Sequence, residues 1–453
     1  MKPLFPILVF FFIGGVNMNS ELLRGNTKKL FIKYLLATLG SATVASIYGL
    51  ADSICVGQYE GPNGLAALSV VMPVWTILYS LGLLTGVGGA TIFGYQKGKR
   101  NDENANKVFT VSFLITSIVA FIVWMGLIFF DDELLRLFGA DDVILPLAKK
   151  YITPIRFIVP FYPFTELLSA FLRNDNDPVL ASKAVITGGI FNIIGDIFFT
   201  FTLDLGILGA GIATASGIVI TVSIMLSHFF KKSNTIKLVK VDGFFKIVKN
   251  IIVIGFGAFA LDLSMGFITI LFNNQIGKLG PSYLAIYGII VQLVLLVQTI
   301  SYSIGQSSQA LISVNIGAKE ISRVKQMIKY SLITSFIIGF ICFSLVVIFP
   351  KGFTKLFTKP TNEILELAPS LMRIFSISFI FLPSNIFITY YMQSINKPSK
   401  AIIITFLRGF LLPLIIINIL PLINTSLVWY SMILIEIIVF LYGIFEIRKN
   451  KLI

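Results

Sequence analysis

Apolar runs of about 20 residues recur from end to end of the chain, each long enough to cross roughly 30 Å of hydrocarbon. Twelve spans are expected, near 31–56, 64–94, 108–130, 146–171, 178–202, 206–230, 246–275, 282–313, 329–349, 367–393, 399–421 and 426–446. In lipid only helices or closed barrels satisfy their own backbone, and these runs are too long and too continuous for barrel strands. The pattern therefore predicts an all-α integral membrane protein.

The runs repeat as a set. "EGPNGLAALSVVMPVWTILYSLGLLTG" from Glu60 matches "LGPSYLAIYGIIVQLVLLVQTISYSIG" from Leu279, an offset of 219 residues. The same register carries Gly86 onto Gly305 and Gly98 onto Gly317. After one inserted residue, "FLRNDNDP" meets "YMQSINKP", Asn176 on Asn396 and Pro178 on Pro398. Each repeat holds six spans. An even number makes both halves enter from one side, so the chain is expected to form two six-helix lobes related by a pseudo-twofold axis along the membrane normal. The expected division is a lead over 1–30, a first lobe over 31–230, a connector over 231–245, a second lobe over 246–446 and a tail over 447–453. The soluble loops leave no room for a nucleotide-binding domain, and no G-x-x-x-x-G-K-[ST] occurs. Any pumping must draw on an ion gradient.

Charge refines the orientation. The chain of 453 residues carries a net charge of +14, yet only 13% of it is charged, about half the share of a soluble protein. Nucleic acid is not the implied partner, because the basic residues divide by topology. Lys28, Lys29, Lys97, Lys99, Arg100, Lys231, Lys232, Lys319, Arg323, Lys397 and Arg448 fall on the side of the termini. The other side holds only Arg136, Lys149, Lys150, Lys278, Lys351, Lys355 and Lys359. That asymmetry places both termini in the cytoplasm of a bacterial cell membrane. Cys55 and Cys342 sit in apolar runs and indicate no disulfide framework. The single histidine, His228, is expected as an interfacial side chain, with no metal site and no histidine relay. "MKPLFPILVFFFIGGVN" is too short to span and lacks an A-x-A cleavage site. Met18 is the expected native start, with residues 1–17 an over-extended reading frame.

A carboxylate in mid-helix is costly and marks function by default. Asp52, Glu166, Asp196, Asp262 and Glu436 qualify, with Arg156 and Arg408 as available cationic partners. Glu436 is positioned to meet Arg408, and Glu166, after Pro160 and Pro163, to meet freed backbone amides. Asp196 differs, because Asn192 lies one turn before it in "GGIFNIIGDIFFT". The next span, "LDLGILGAGIATASG", follows after a very short turn, and its small residues allow close approach, with Thr214 as its polar group. Carboxylate, amide oxygen and hydroxyl suit Na⁺ or a proton shared between acids. Asp52, in "YGLADSICVG", is the other acid of that half.

"LADSICVG", "FNIIGDIFF", "GAGIATASG" and "LFGADDVILPLAKKYI" together resemble the multidrug and toxic compound extrusion (MATE) transporters, in their bacterial MepA-like branch. The resemblance runs over nearly the whole chain from Met18. It implies a cation-coupled antiporter that expels amphiphilic, often cationic drugs, with an H⁺ or Na⁺ site at Asp52, Asn192, Asp196 and Thr214. The chain departs from the family in two places. "KYLLATLGSATV" lacks the proline many relatives carry in the first span, and "FLPSNIFITYYMQ" lacks the acid some carry in the tenth.

The reading that follows is a transporter and no enzyme, acting as a monomer in the lipid bilayer, with no cofactor beyond the H⁺ or Na⁺ it couples to. Tyr48, Asp262, Gln292, Gln298, Tyr302 and Gln306 are candidates for a cavity that takes organic cations, for which aromatic faces offer cation–π contact. For each aromatic or glutamine, helix–helix packing is the competing role. One rival is a flippase for lipid-linked saccharides, which calls for clustered arginines. The other is an intramembrane enzyme, for which neither H-E-x-x-H nor a Ser/His combination is present.

Overall fold

The computed structural model describes residues 18–357 and 361–449, so the expectation about residues 1–17 lies outside the described residues. All described elements are helical. A short α1 (Met18–Arg24) precedes α2 (Thr27–Gly61) and α3 (Asn63–Gly98), which follow one another across a single kink at Gly61, where φ is 68°. Then come α4 (Asp102–Phe129), the short α5 (Asp131–Leu137), α6 (Leu145–Ile155), α7 (Val159–Asn174), α8 (Pro178–Thr202) and α9 (Gly206–Phe230). The second half runs α10 (Phe244–Leu279), α11 (Pro281–Gly317), α12 (Ile321–Ile348), the short α13 (Pro350–Phe357), α14 (Asn362–Ser394), α15 (Pro398–Ile423) and α16 (Thr425–Lys449). Eleven of these are long and apolar enough to cross a membrane, and α6 with α7 makes the twelfth span.

That twelfth span corrects an expectation. The sequence suggested one helix over 146–171, but α6 and α7 meet at a bend of 62°. Pro160 and Pro163 supply the reason, since proline lacks an N–H and crowds the preceding turn. Three helix starts of the first lobe, on the side of the termini, are capped in sequence-legible ways. Asn26, Asn101 and Asp177 each accept a backbone N–H three residues on.

The internal repeat is written into the backbone. Gly61 and Gly280 both have positive φ, 68° and 120°. So do Arg100 and Lys319, 59° and 63°, and Asn176 and Asn396, 60° and 59°. The pairs are separated by 219, 219 and 220 residues, the repeat offset and its one-residue insertion, so the two lobes turn their corners at equivalent residues.

The lobes meet on the side where α1 and the end of α16 lie. Thr38 Oγ1 donates to the Ser303 carbonyl at 3.1 Å, and Ser303 Oγ returns a bond to the Thr38 carbonyl at 3.3 Å. Gln309 donates to Thr91 at 3.0 Å, and Ser313 to Asn174 Oδ1 at 3.0 Å. Gly98 and Gly317, equivalent in the repeat, lie against each other: a Cβ on either would collide with the facing helix's backbone, at Val314 or Tyr95. α1 closes the seam. Arg323 donates to the carbonyls of Gly25 and Leu22 at 2.7 and 3.0 Å, while Glu21 accepts from Lys33 and Asn176 in the first lobe.

His228 is also corrected. It is fully buried, not interfacial. Nε2 lies 2.8 Å from Asp175 and Nδ1 3.0 Å from Asp177. The acids of "RNDNDP" fold back over the end of α9 and enclose it, a tertiary contact that no local pattern announces.

Candidate functional site

α8 carries Asn192 and Asp196 on one buried face. The Asn192 amide donates to Asp196 Oδ1 at 3.4 Å and to Thr214 Oγ1 on α9 at 3.2 Å. Small residues make this reach possible. A Cβ on Gly217 would stand 2.8 Å from the Gly188 carbonyl and 3.2 Å from Asn192 Cβ, so α9 lies almost backbone to backbone on α8. Beyond Asp196 the helix widens into a π-helical turn, Phe198–Thr202, against which Gly209 packs.

Asp52 on α2 completes the group. Its Oδ2 accepts the Tyr151 hydroxyl at 2.8 Å, and Tyr151, on α6, also interacts with Thr214. Asp52 and Asp196 are close enough to interact electrostatically. The four residues singled out by sequence thus converge, drawn from α2, α8 and α9. Tyr151 was missed. It lies in "LPLAKKYITP" as an ordinary aromatic, and only the bend between α6 and α7 aims it at Asp52.

Three buried oxygens of the group, Asp52 Oδ1, Asn192 Oδ1 and Asp196 Oδ2, have no hydrogen-bond partner. Among the described residues, no cation forms an ion pair with either carboxylate. On α6 and at its end, Arg156 pairs with Asp131 at 3.0 Å, Lys149 with Asp131 and Asp132, and Lys150 is exposed. A buried carboxylate without a partner is costly. Two acids, an amide oxygen and two hydroxyls are hard oxygen donors, and they fit a proton or a small cation such as Na⁺.

The other acids have different settings. Asp262 on α10 accepts the Ser80 hydroxyl of α3 at 2.7 Å, a bond between the lobes. Glu166 on α7 lies over Gly82 of α3, where a Cβ would come within 2.9 Å of Glu166 Cβ. Glu436 is sealed inside the second lobe. Arg408 Nε and Nη2 lie 2.9 and 2.8 Å from its Oε1, and Asn385 donates to its Oε2 at 2.6 Å. This pairing of Glu436 with Arg408 is the one expected from the sequence. It ties α14, α15 and α16 together.

Of the cavity candidates, Gln298 and Tyr302 are buried; the Gln298 amide donates to the Tyr302 hydroxyl at 2.6 Å while its Oε1 has no partner, and the Tyr302 ring stands 6.4 Å from Tyr390. Tyr48 is half-buried against Gly189 of α8. Gln306 is half-buried and Gln292 exposed. Asp262 is the candidate whose hydrogen bond, to Ser80, crosses the junction of the lobes among the described residues.

Comparison with known proteins agrees with this architecture. The MatE family profile matches residues 38–198 and 256–419, one segment in each lobe. The multidrug export protein MepA of Staphylococcus aureus (strain NCTC 8325 / PS 47) is 26% identical over 385 residues, covering 84% of both chains. MepA of Staphylococcus saprophyticus is 26% identical over 392 residues, 84% of this chain and 85% of its own. Two solved structures superpose over nearly the whole fold. One is an outward-facing multidrug resistance MATE family transporter of the MOP superfamily, with TM-score 0.87, 23% identity and coverage of 97% and 100%. The other is a MATE in the straight conformation, with TM-score 0.88, 22% identity and coverage of 96% and 100%. Twelve spans in two repeated lobes and a profile match over most of both halves lead to one conclusion: the chain belongs to the MatE family of membrane transporters and is not an enzyme.

Proposed function

We propose that the protein is a cation-coupled antiporter that exports amphiphilic, often cationic compounds from a bacterial cell, with Asp52, Tyr151, Asn192, Asp196 and Thr214 holding the coupling H⁺ or Na⁺. The observation that carries this reading is the set of buried, unpartnered oxygens on the two carboxylates, with no cation among the described residues paired to either. A cation or proton removes that cost, so loading the site biases the first lobe toward one arrangement. Drug binding then favours the other, and the two ligands compete through their different affinities for the two states. The excess of basic residues beside the termini supports a cytoplasmic location for that side. The seam between the lobes closes there, which supports a cavity opening to the opposite side. Asp262, at the lobe junction, is suited to contact a cationic drug.

Arg156 and Arg408 are each paired with a carboxylate in separate lobes. They form no free cluster for a pyrophosphate, so the flippase reading gains no support. The test is ethidium efflux from vesicles reconstituted with the purified protein, with a pH or Na⁺ gradient imposed in turn. Efflux accelerated by one gradient is expected. Efflux driven by neither overturns the reading.

A further inference from the structure

The segment between the lobes is not a slack tether. Between the end of α9 and the start of α10 the chain runs without helix, but side chains of the first lobe hold its backbone. Asp175 accepts both the N–H and the hydroxyl of Thr235. Asn106 accepts the Lys237 N–H at 2.9 Å, and Thr110 the Val239 N–H at 3.0 Å. Ile236 is 1% exposed, packed with Phe109 and Phe171. One edge of the segment is thus stitched to α4 and to the end of α7.

The other edge is left bare in a patterned way. Phe230 is 91% exposed, Phe245 85% and Leu238 62%, at the two helix ends and in the middle of the segment. Between and beside them stand Lys232, Lys237, Lys240, Lys246 and Lys249, all exposed and none in an ion pair among the described residues. The acids near them are already committed, Asp177 to Lys231 at 2.6 Å and Asp242 to Lys107 at 2.7 Å. The patch therefore presents uncompensated positive charge together with apolar side chains. It lies where two spans leave the hydrocarbon.

We infer that this connector is a binding surface for anionic phospholipid. The lysines meet headgroup phosphates, and Phe230, Leu238 and Phe245 enter the boundary between headgroups and acyl chains. A soluble acidic partner accounts for the lysines but not for two phenylalanines that protrude at both helix ends. The stitched backbone adds a consequence: lipid held here is held to the first lobe, while Lys246 and Lys249 reach it from α10 of the second. This inference rests on membrane insertion and does not depend on the ion-coupling reading.

The test uses the full-length purified protein, offered phosphatidylglycerol and phosphatidylcholine in equal amounts, with retained lipid counted by native mass spectrometry. The wild type is expected to retain phosphatidylglycerol over phosphatidylcholine by at least about threefold. The ratio should fall toward one in K232Q/K237Q/K240Q/K246Q/K249Q and return when the same five positions are arginine, since charge and not lysine itself is required. F230S/F245S should lose both lipids from the patch. An unchanged ratio in the glutamine variant overturns the proposal. So does capture of short polyglutamate that F230S/F245S leaves intact, which would assign the patch to an acidic protein.

Discussion

The Tyr151 hydroxyl donates to Asp52 Oδ2 at 2.8 Å, across the gap between α6 and α2. Through this bond the bent span of the first lobe reaches the carboxylate of its first span. Tyr151→Phe removes the donor and keeps the ring. A hydrogen bond to a charged group is worth about 1.5–3 kcal/mol, roughly tenfold or more in an equilibrium. Gradient-driven efflux should fall by about that factor at matched protein level. In an Asp52→Asn background the same substitution should add little, because its partner is already lost. Additive losses would show that Tyr151 acts elsewhere.

Asp196→Asn should fold and reach the membrane but fail to couple efflux to a gradient. Asp52→Asn should do the same, and the double variant should be little worse than either single one. Asn192→Ala and Thr214→Ala should be milder, shifting ion affinity. Vesicle efflux at equal protein density reads all of these. Near-normal coupled efflux from Asp196→Asn would make the carboxylate structural.

Replacing Gly217 or Gly211 with leucine drives a side chain into backbone, at Gly188 in one case and at Tyr151 in the other. Overpacking of this kind costs about 1–3 kcal/mol or more. A lowered melting temperature in detergent, or a protein held in one state, is expected. Wild-type stability together with wild-type efflux from Gly211→Leu would show that α9 has room to move away.

The pair Arg408 and Glu436 is at most 1% exposed. Removing one partner strands the other charge, at about 3–5 kcal/mol. Arg408→Met should therefore destabilise strongly. Arg408→Met with Glu436→Leu should recover much of the loss, because a buried pair replaced by apolar groups is often neutral. Thermal unfolding of the three proteins decides it, and a double variant worse than both singles would contradict the account.

The clasp at α1 carries a pH signature. Burial alone would raise the Glu21 carboxyl, but hydrogen bonds from Lys33 and Asn176 outweigh it and hold the group below the ordinary carboxylate range. A lowered folded value means the contribution is complete above the unfolded pKa and is lost as pH falls through the folded one. Amide exchange in α1, corrected for intrinsic rates, should accelerate as the pH falls below the ordinary carboxylate range. Glu21→Gln should show no such step, and Arg323→Ala should loosen α1 at every pH.

Much of this was legible in the sequence. Continuous apolar runs announce spans because lipid allows the backbone no other solution. The repeat was readable because glycines and asparagines mark corners that few other residues turn. Asn192, Asp196 and Thr214 were readable because polar groups inside apolar helices stand out. What escaped were contacts set by tertiary geometry. Tyr151 needed the bend of its span, and His228 needed the fold-back of Asp175 and Asp177.

The meeting of Gly98 with Gly317 has a mechanical consequence. Equivalent residues that touch lie close to the symmetry axis, and neither places a side chain between the two helices. Under the proposed alternation between two arrangements of the lobes, they would serve as a fulcrum at one end of long levers. The helix Asn63–Gly98 has 36 residues, about 54 Å at 1.5 Å per residue. A rotation of about 10° at the glycines would sweep its far end through about 9 Å. That is a gap on the scale of a flat aromatic molecule, opened by a motion that the pivot itself scarcely registers.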